Sequence, residues 1–148
     1  MTFLLLLCFQ LLTNADLSTL RSLYNEASVD KVKAIKLLAI AEKNSTISSV
    51  FTGYLGAGKI IMAKHAFNPY TKWNLFNEGK DILESAIASD QNSLELKYLR
   101  LTIQMNVPSF LGYKNNIIQD KAFIKKNIAE VKDKELQTLI KKYLIQIN

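Results

Sequence analysis

Apolar residues recur at three- and four-residue spacings along most of this chain, and strict alternation never persists beyond a few positions. That period belongs to amphipathic helices, not strands. Leu17, Leu20, Tyr24 and Ala27 make a first stripe, with Asp16 or Ser18 as its cap. Ser28 or Asp30 opens a second helix, with Val32, Ile35, Leu38 and Ala39 or Ala41 facing inward. KNSTISS breaks the pattern, with Ser45 or Thr46 as cap of a third helix over 47–65 that ends before Asn68-Pro69. A fourth helix over 71–89 turns Trp73, Phe76, Ile82, Leu83 and Ala86 inward. Ser93 opens a fifth, apolar on two sides and therefore central. After the connection NVPSFLGY, two last helices cover 115–131 and 133–147, the final one striped by Leu136, Leu139, Ile140, Tyr143, Leu144 and Ile147. The expected fold is all-α, built of antiparallel helical hairpins, with about six to seven helices in one domain over 16–148.

Two prolines and five glycines leave little punctuation. One glycine cluster, FTGYLGAGKII, places Gly53 four residues before Gly58-Lys59. Over TGYLGAGK it resembles the phosphate-binding loop of metallochaperone-type GTPases. That loop needs a Ser or Thr after the lysine to hold magnesium, and Ile60 stands there. No alternation of strands and helices supplies the sheet such a loop requires. Gly53, Gly56, Ala57 and Gly58 are instead read as small residues that admit a neighbouring helix, and no nucleotide or other cofactor is expected.

The fourth helix carries Phe76, Gly79, Leu83 and Ala86, spaced three, four and three, before a turn at Gln91. This is similar to the second helix of a tetratricopeptide repeat, with Gln91 where that family often has proline. Tyr54-Leu55-Gly56 echoes the first helix, although HAFNPYTKW reads as a longer connection than the family uses. The resemblance covers one hairpin, and it implies a right-handed superhelix whose concave side contacts proteins. The segment LESAIASDQNSLELKYLRLTIQMNVPSFLGYKNNIIQDKAF also resembles uncharacterised small helical proteins of Bacteroidetes, a likeness that implies no activity.

Charge and candidate chemistry refine this picture. The net charge is +6, and from Lys114 to Asn148 eight lysines face four acids. Lys125-Lys126 and Lys141-Lys142 mark a basic outer side that a membrane surface or another anionic surface could meet. Acids are interspersed, arginine is absent there and aromatics are few, which does not favour nucleic acid. His65, the single histidine, has no acidic or second histidine partner at helical spacing and is read as a surface or cap residue at a helix C-terminus. Glu78, Asp81 and Glu84 are read as a solvated face. Glu95, Arg100, Tyr113 and Asp120 stand out among the polar residues, and Arg100, on the central helix, is expected to pair with Asp120 across the connection. A functional use of Arg100 would be as the fork-shaped donor of an anion or peptide-terminus pocket.

The first residues, MTFLLLLCFQLLTNA, form an apolar run of about ten residues ending in Thr13-Asn14-Ala15, the shape of a secretory signal cleaved after Ala15, though without a positive start. The competing reading is a buried first helix. Cys8, the only cysteine, lies in that run and follows Leu7, where a lipidation site would want a small residue. A processed chain therefore has no disulfide. The expected protein is a periplasmic or secreted module, not an enzyme, that works by protein–protein contact. Tyr54, Lys72, Trp73, Tyr98, Arg100 and Tyr113 are its expected contact surface. The alternative is a small basic module for anionic lipid or nucleic acid.

Overall fold

The computed structural model describes residues 2–148, with side-chain surroundings from Leu4 onward. Among these residues there are seven α-helices and no strand: α1 Thr2–Ala27, α2 Lys31–Asn44, α3 Ser49–His65, α4 Pro69–Ser89, α5 Leu94–Asn106, α6 Ile117–Asn127 and α7 Lys134–Gln146. Two single-turn 3₁₀ segments, Ser109–Leu111 and Ile128–Glu130, flank α6.

Several local expectations are corrected. α1 runs without a break past Asp16 and Ser18, which cap nothing; Asp16 accepts from Asn44, and Ser18 donates to Glu135. α2 does begin at Asp30, whose carboxylate accepts from the amides of Val32 and Lys33. Its buried face, however, is Ala34, Leu37, Ala41 and Asn44, and Val32 and Ile35 are exposed. Ser48, not Ser45 or Thr46, precedes α3. Asn68 caps α4 two residues earlier than expected, with Pro69 in the first turn, where its missing N–H costs nothing. The α3–α4 connection is therefore only three residues, and HAFNPYTKW is a tight corner. The expected helix over 115–131 gives way to a 3₁₀ turn after Asn127.

Consecutive helices pack antiparallel, as paired contacts show. Asp16 meets Asn44 while Glu26 meets Lys33; Arg100 meets Asp120 while Gln104 meets Asn116. The α3–α4 hairpin is the most extensive of these interfaces. A Cβ built on Gly56 would lie 2.6 Å from the Leu83 amide nitrogen, and one on Gly79 would lie 2.5 Å from the Gly56 carbonyl. The two backbones touch, and only glycine permits it. Lys59 sits inside α3 and pairs with Glu78 of α4 at 2.8 Å, so the glycine cluster is a helix surface and not a loop.

α5 is the centre of the fold: every residue from Leu94 to Gln104 is buried except Lys97, which is half-buried. Its polar groups are tied in opposite directions. Glu95 takes both Nε and Nη2 of Arg21 from α1 at 2.8 Å each, and it also accepts from Tyr54 of α3. Arg21 reaches on to Asp133 and Glu135 and so holds the start of α7. Arg100 forks onto Asp120 of α6 at 2.7 and 2.8 Å and donates to Glu84 of α4. These are the only two arginines of the chain. Both use the planar fork that lysine lacks.

α1 divides in character near its middle. Leu4, Leu5, Leu6, Leu7, Phe9, Leu11 and Leu12 are exposed, so this half is not a buried first helix. From Asp16 and Leu17 onward its side chains engage α2, α3, α5 and α7. Met1 of the expected leader lies outside the described residues. Among the described residues, no helix is long and apolar enough to cross a membrane.

Candidate functional site

The sequence between α5 and α6 has to turn a corner while keeping its polar backbone satisfied. Pro108 stops α5, a 3₁₀ turn carries Phe110 and Leu111, and Gly112 closes it at φ 65°, a left-handed conformation that suits glycine. Beneath the corner, the Gln104 side chain accepts from the Asn116 amide and donates to the Asn116 side chain. Tyr113 gives its hydroxyl to Glu84, the same carboxylate that Arg100 binds. Phe76 stacks edge-on against Tyr113, with ring centres 6.1 Å apart. The corner is thus braced from below by α4, α5 and α6, and it holds Phe110 out in solvent at 86% exposure.

Phe110 forms one wall of a cleft of about 820 Å³. That size falls within the roughly 300–1,000 Å³ typical of ligand sites. The first turns of α4 line it with Lys72, Trp73 and Phe76. Ile60 and Ile61 of α3, Tyr98 and Ile103 of α5, Tyr24 near the end of α1 and Tyr143 of α7 complete the lining. Its surface is mainly apolar. Lys64 and Lys72 are its only charged residues, neither forms an ion pair among the described residues, and no carboxylate lines it. Tyr24 bonds Thr102 at 2.6 Å, and Tyr98 stacks edge-on against Tyr143. The Tyr143 hydroxyl is shielded and has no hydrogen-bond partner among the described residues.

The six expected surface residues separate into two sets. Lys72 and Trp73 are exposed at the cleft, and Tyr98 lines it although it is only 2% exposed. Tyr54, Arg100 and Tyr113 do not form a surface: each is buried, with its polar atoms bound to Glu95, to Asp120 and Glu84, and to Glu84. Trp73, expected inside, is 57% exposed. The acids read as one solvated face are divided between partners, Glu78 with Lys59 and Glu84 with Arg100. His65 bonds the carbonyl of Ala27 at 2.7 Å, so it caps the end of α1 across the hairpin. The Arg21–Glu95–Tyr54 cluster and the part of Phe110 and Tyr143 in the cleft had no local pattern in the sequence to mark them. The one signal for Arg21 was an arginine beside Leu20 on the buried stripe of a chain otherwise rich in lysine.

Burial tunes the charged and phenolic groups around this site. At Arg21, burial works against the charge, but hydrogen bonding to Glu95 and its charge, aided by Asp133, hold the pKa above the ordinary arginine value. The Asp133 carboxyl also loses solvation, yet the Leu136 amide and Arg21 keep it below the usual range. The phenols of Tyr24, Tyr54, Tyr98, Tyr113 and Tyr143 are all pushed up, first by burial, then at Tyr54 and Tyr113 by Glu95 and Glu84. A raised folded pKa contributes stability that is complete below the unfolded value of about 10 and is lost as pH rises above it. Urea midpoints are therefore expected to fall steeply above about pH 10, with phenolate absorbance rising together with unfolding. A flat midpoint through that range would contradict the burial of these hydroxyls.

The molecule is thus an all-helical domain organised around a central α5, with one braced, aromatic-walled cleft. No protein-family model, no curated protein and no solved structure matches the chain.

Proposed function

We propose that the protein is an exported helical module, tetratricopeptide-like in its packing, that binds a protein partner through this cleft and performs no catalysis. The observation that carries the reading is that two exposed aromatics, Trp73 and Phe110, line one preformed apolar cleft. Large aromatics held in water by a braced scaffold offer contact area at low ordering cost, which is how binding hot spots are built. Tyr70 lies three residues before Trp73 on α4 and is 73% exposed, a further large aromatic held in water beside it. The touching backbones at Gly56 and Gly79 support the repeat-like packing. Export is supported by the character of α1, whose exposed apolar half ends near Ala15 and whose polar engagement begins at Asp16.

Site-specific photocrosslinking in the native cell envelope tests this. A crosslinker at Phe110 is expected to capture a defined protein that one at Lys36, exposed on α2, does not. The double change Trp73→Ala, Phe110→Ala should weaken retention of that protein by about 30-fold or more. Because both side chains project into solvent, stability should stay within about 0.5 kcal/mol per site. Mass measurement of the mature chain should give Asp16 as its first residue. Retention on heparin or anionic vesicles through Lys125, Lys126, Lys141 and Lys142, with the aromatic double change silent, would point to the anionic-surface alternative instead.

A further inference from the structure

We infer that the partner element seated in the cleft is an acidic amphipathic α-helix, an inference that rests on the cleft being a protein-docking site. The charge of the lining is one-sided: among the described residues, Lys64 and Lys72 lack ion-pair partners and no carboxylate belongs to the lining. Both lysines are exposed at the margin, where they can meet carboxylates without full desolvation.

The interior of the cleft selects the backbone form. An extended peptide would bring unpaired amides and carbonyls against Ile60, Ile61, Phe76 and Ile103, which cannot bond them. A sheet edge that could pair such a peptide is absent among the described residues. A helix satisfies its own backbone and presents only side chains, at i, i+3, i+4 and i+7, to an apolar groove. Trp73 and Phe110 then pack against its apolar stripe, and its acidic flanks fall beside Lys64 and Lys72.

Trp73 is the only tryptophan of the chain, so its emission reports the cleft directly. The probes are three capped 14-residue peptides without aromatic residues. One has a Leu stripe at helical spacing with Glu on the remaining positions, one has Lys in place of Glu, and one is the Glu peptide scrambled. The Glu peptide is expected to shift Trp73 emission with at least a tenfold lower Kd than the Lys peptide at low salt, the gap closing as salt rises. Lys64→Glu with Lys72→Glu should reverse that order, and the exposed positions leave folding intact, to be checked by circular dichroism. The scrambled peptide should not bind. Equal affinity for the Glu and Lys peptides, or an order unchanged by the charge reversal, overturns the acidic helix and leaves the docking cleft standing. If no peptide moves Trp73 emission while dodecanoate does, the cleft holds an acyl chain, and the docking reading falls with the inference.

Discussion

Gly79→Ala is expected to destabilise the protein by about 2 kcal/mol, although alanine is the better helix former. In an exposed helix this change would gain up to about 1 kcal/mol. Here the added Cβ would sit 2.5 Å from the Gly56 carbonyl and 2.9 Å from the Ile60 amide nitrogen. Both are backbone atoms on a neighbouring helix, so no rotamer change relieves them. α3 and α4 have to separate, and overpacking of this kind costs typically about 1–3 kcal/mol, with a backbone clash at the upper end. Gly56→Ala should behave alike, since its Cβ would meet Gly79 and Leu83 backbone atoms at 2.6–3.0 Å. Gly58→Ala is the milder comparison. Its Cβ would meet side chains and not backbone, the methyl of fully buried Leu37 at 2.5 Å and that of half-buried Leu38 at 2.9 Å. Urea midpoints at constant m-value should place Gly58→Ala between wild type and the lower pair, Gly56→Ala and Gly79→Ala. If Gly79→Ala proves as stable as wild type, the two backbones do not touch.

That contact was readable in the sequence because small residues at helical spacing have few other uses. Phe76, Gly79, Leu83 and Ala86 are all buried, as their spacing implied. Arg100 and Asp120 were readable as partners because a short corner joins their helices and a buried arginine needs a carboxylate. Arg21 and Glu95 lie 74 residues apart, so no local pattern links them. Facing was misread where a helix is apolar on more than one side. In α2, Val32 and Ile35 are more hydrophobic than Ala34, yet small Ala34 and Ala41 let α2 approach, while Leu37 fills the space over Gly58. The cleft was half-visible for a similar reason. Trp73 and Tyr98 stand out as large residues, but the walls at Phe110 and Tyr143 arrive from distant segments through the fold alone.

Arg100→Met should cost about 3–5 kcal/mol, because it leaves a buried carboxylate without its counter-charge. Asp120 is 1% exposed, and its next cation, Lys97, is 3.9 Å away. Glu84 loses its ion-pair partner too and retains Tyr113. Arg100→Lys keeps the charge but cannot reach both Asp120 oxygens and Glu84 at once, so it should fall between wild type and Arg100→Met. Adding Asp120→Leu to Arg100→Met should recover most of the loss, since an apolar pair of similar volume no longer buries a charge. A double-mutant cycle in urea separates this coupling from simple loss of packing. The two outcomes also differ at the cleft. Arg100, Glu84 and Tyr113 brace the corner that carries Phe110, so the double variant should regain stability and yet hold Phe110 less firmly. Trp73-monitored binding of the Glu peptide would then remain weaker than wild type after folding is restored. Full recovery of both stability and binding would show that the ion pair supports the fold alone and that the corner needs no bracing from Arg100.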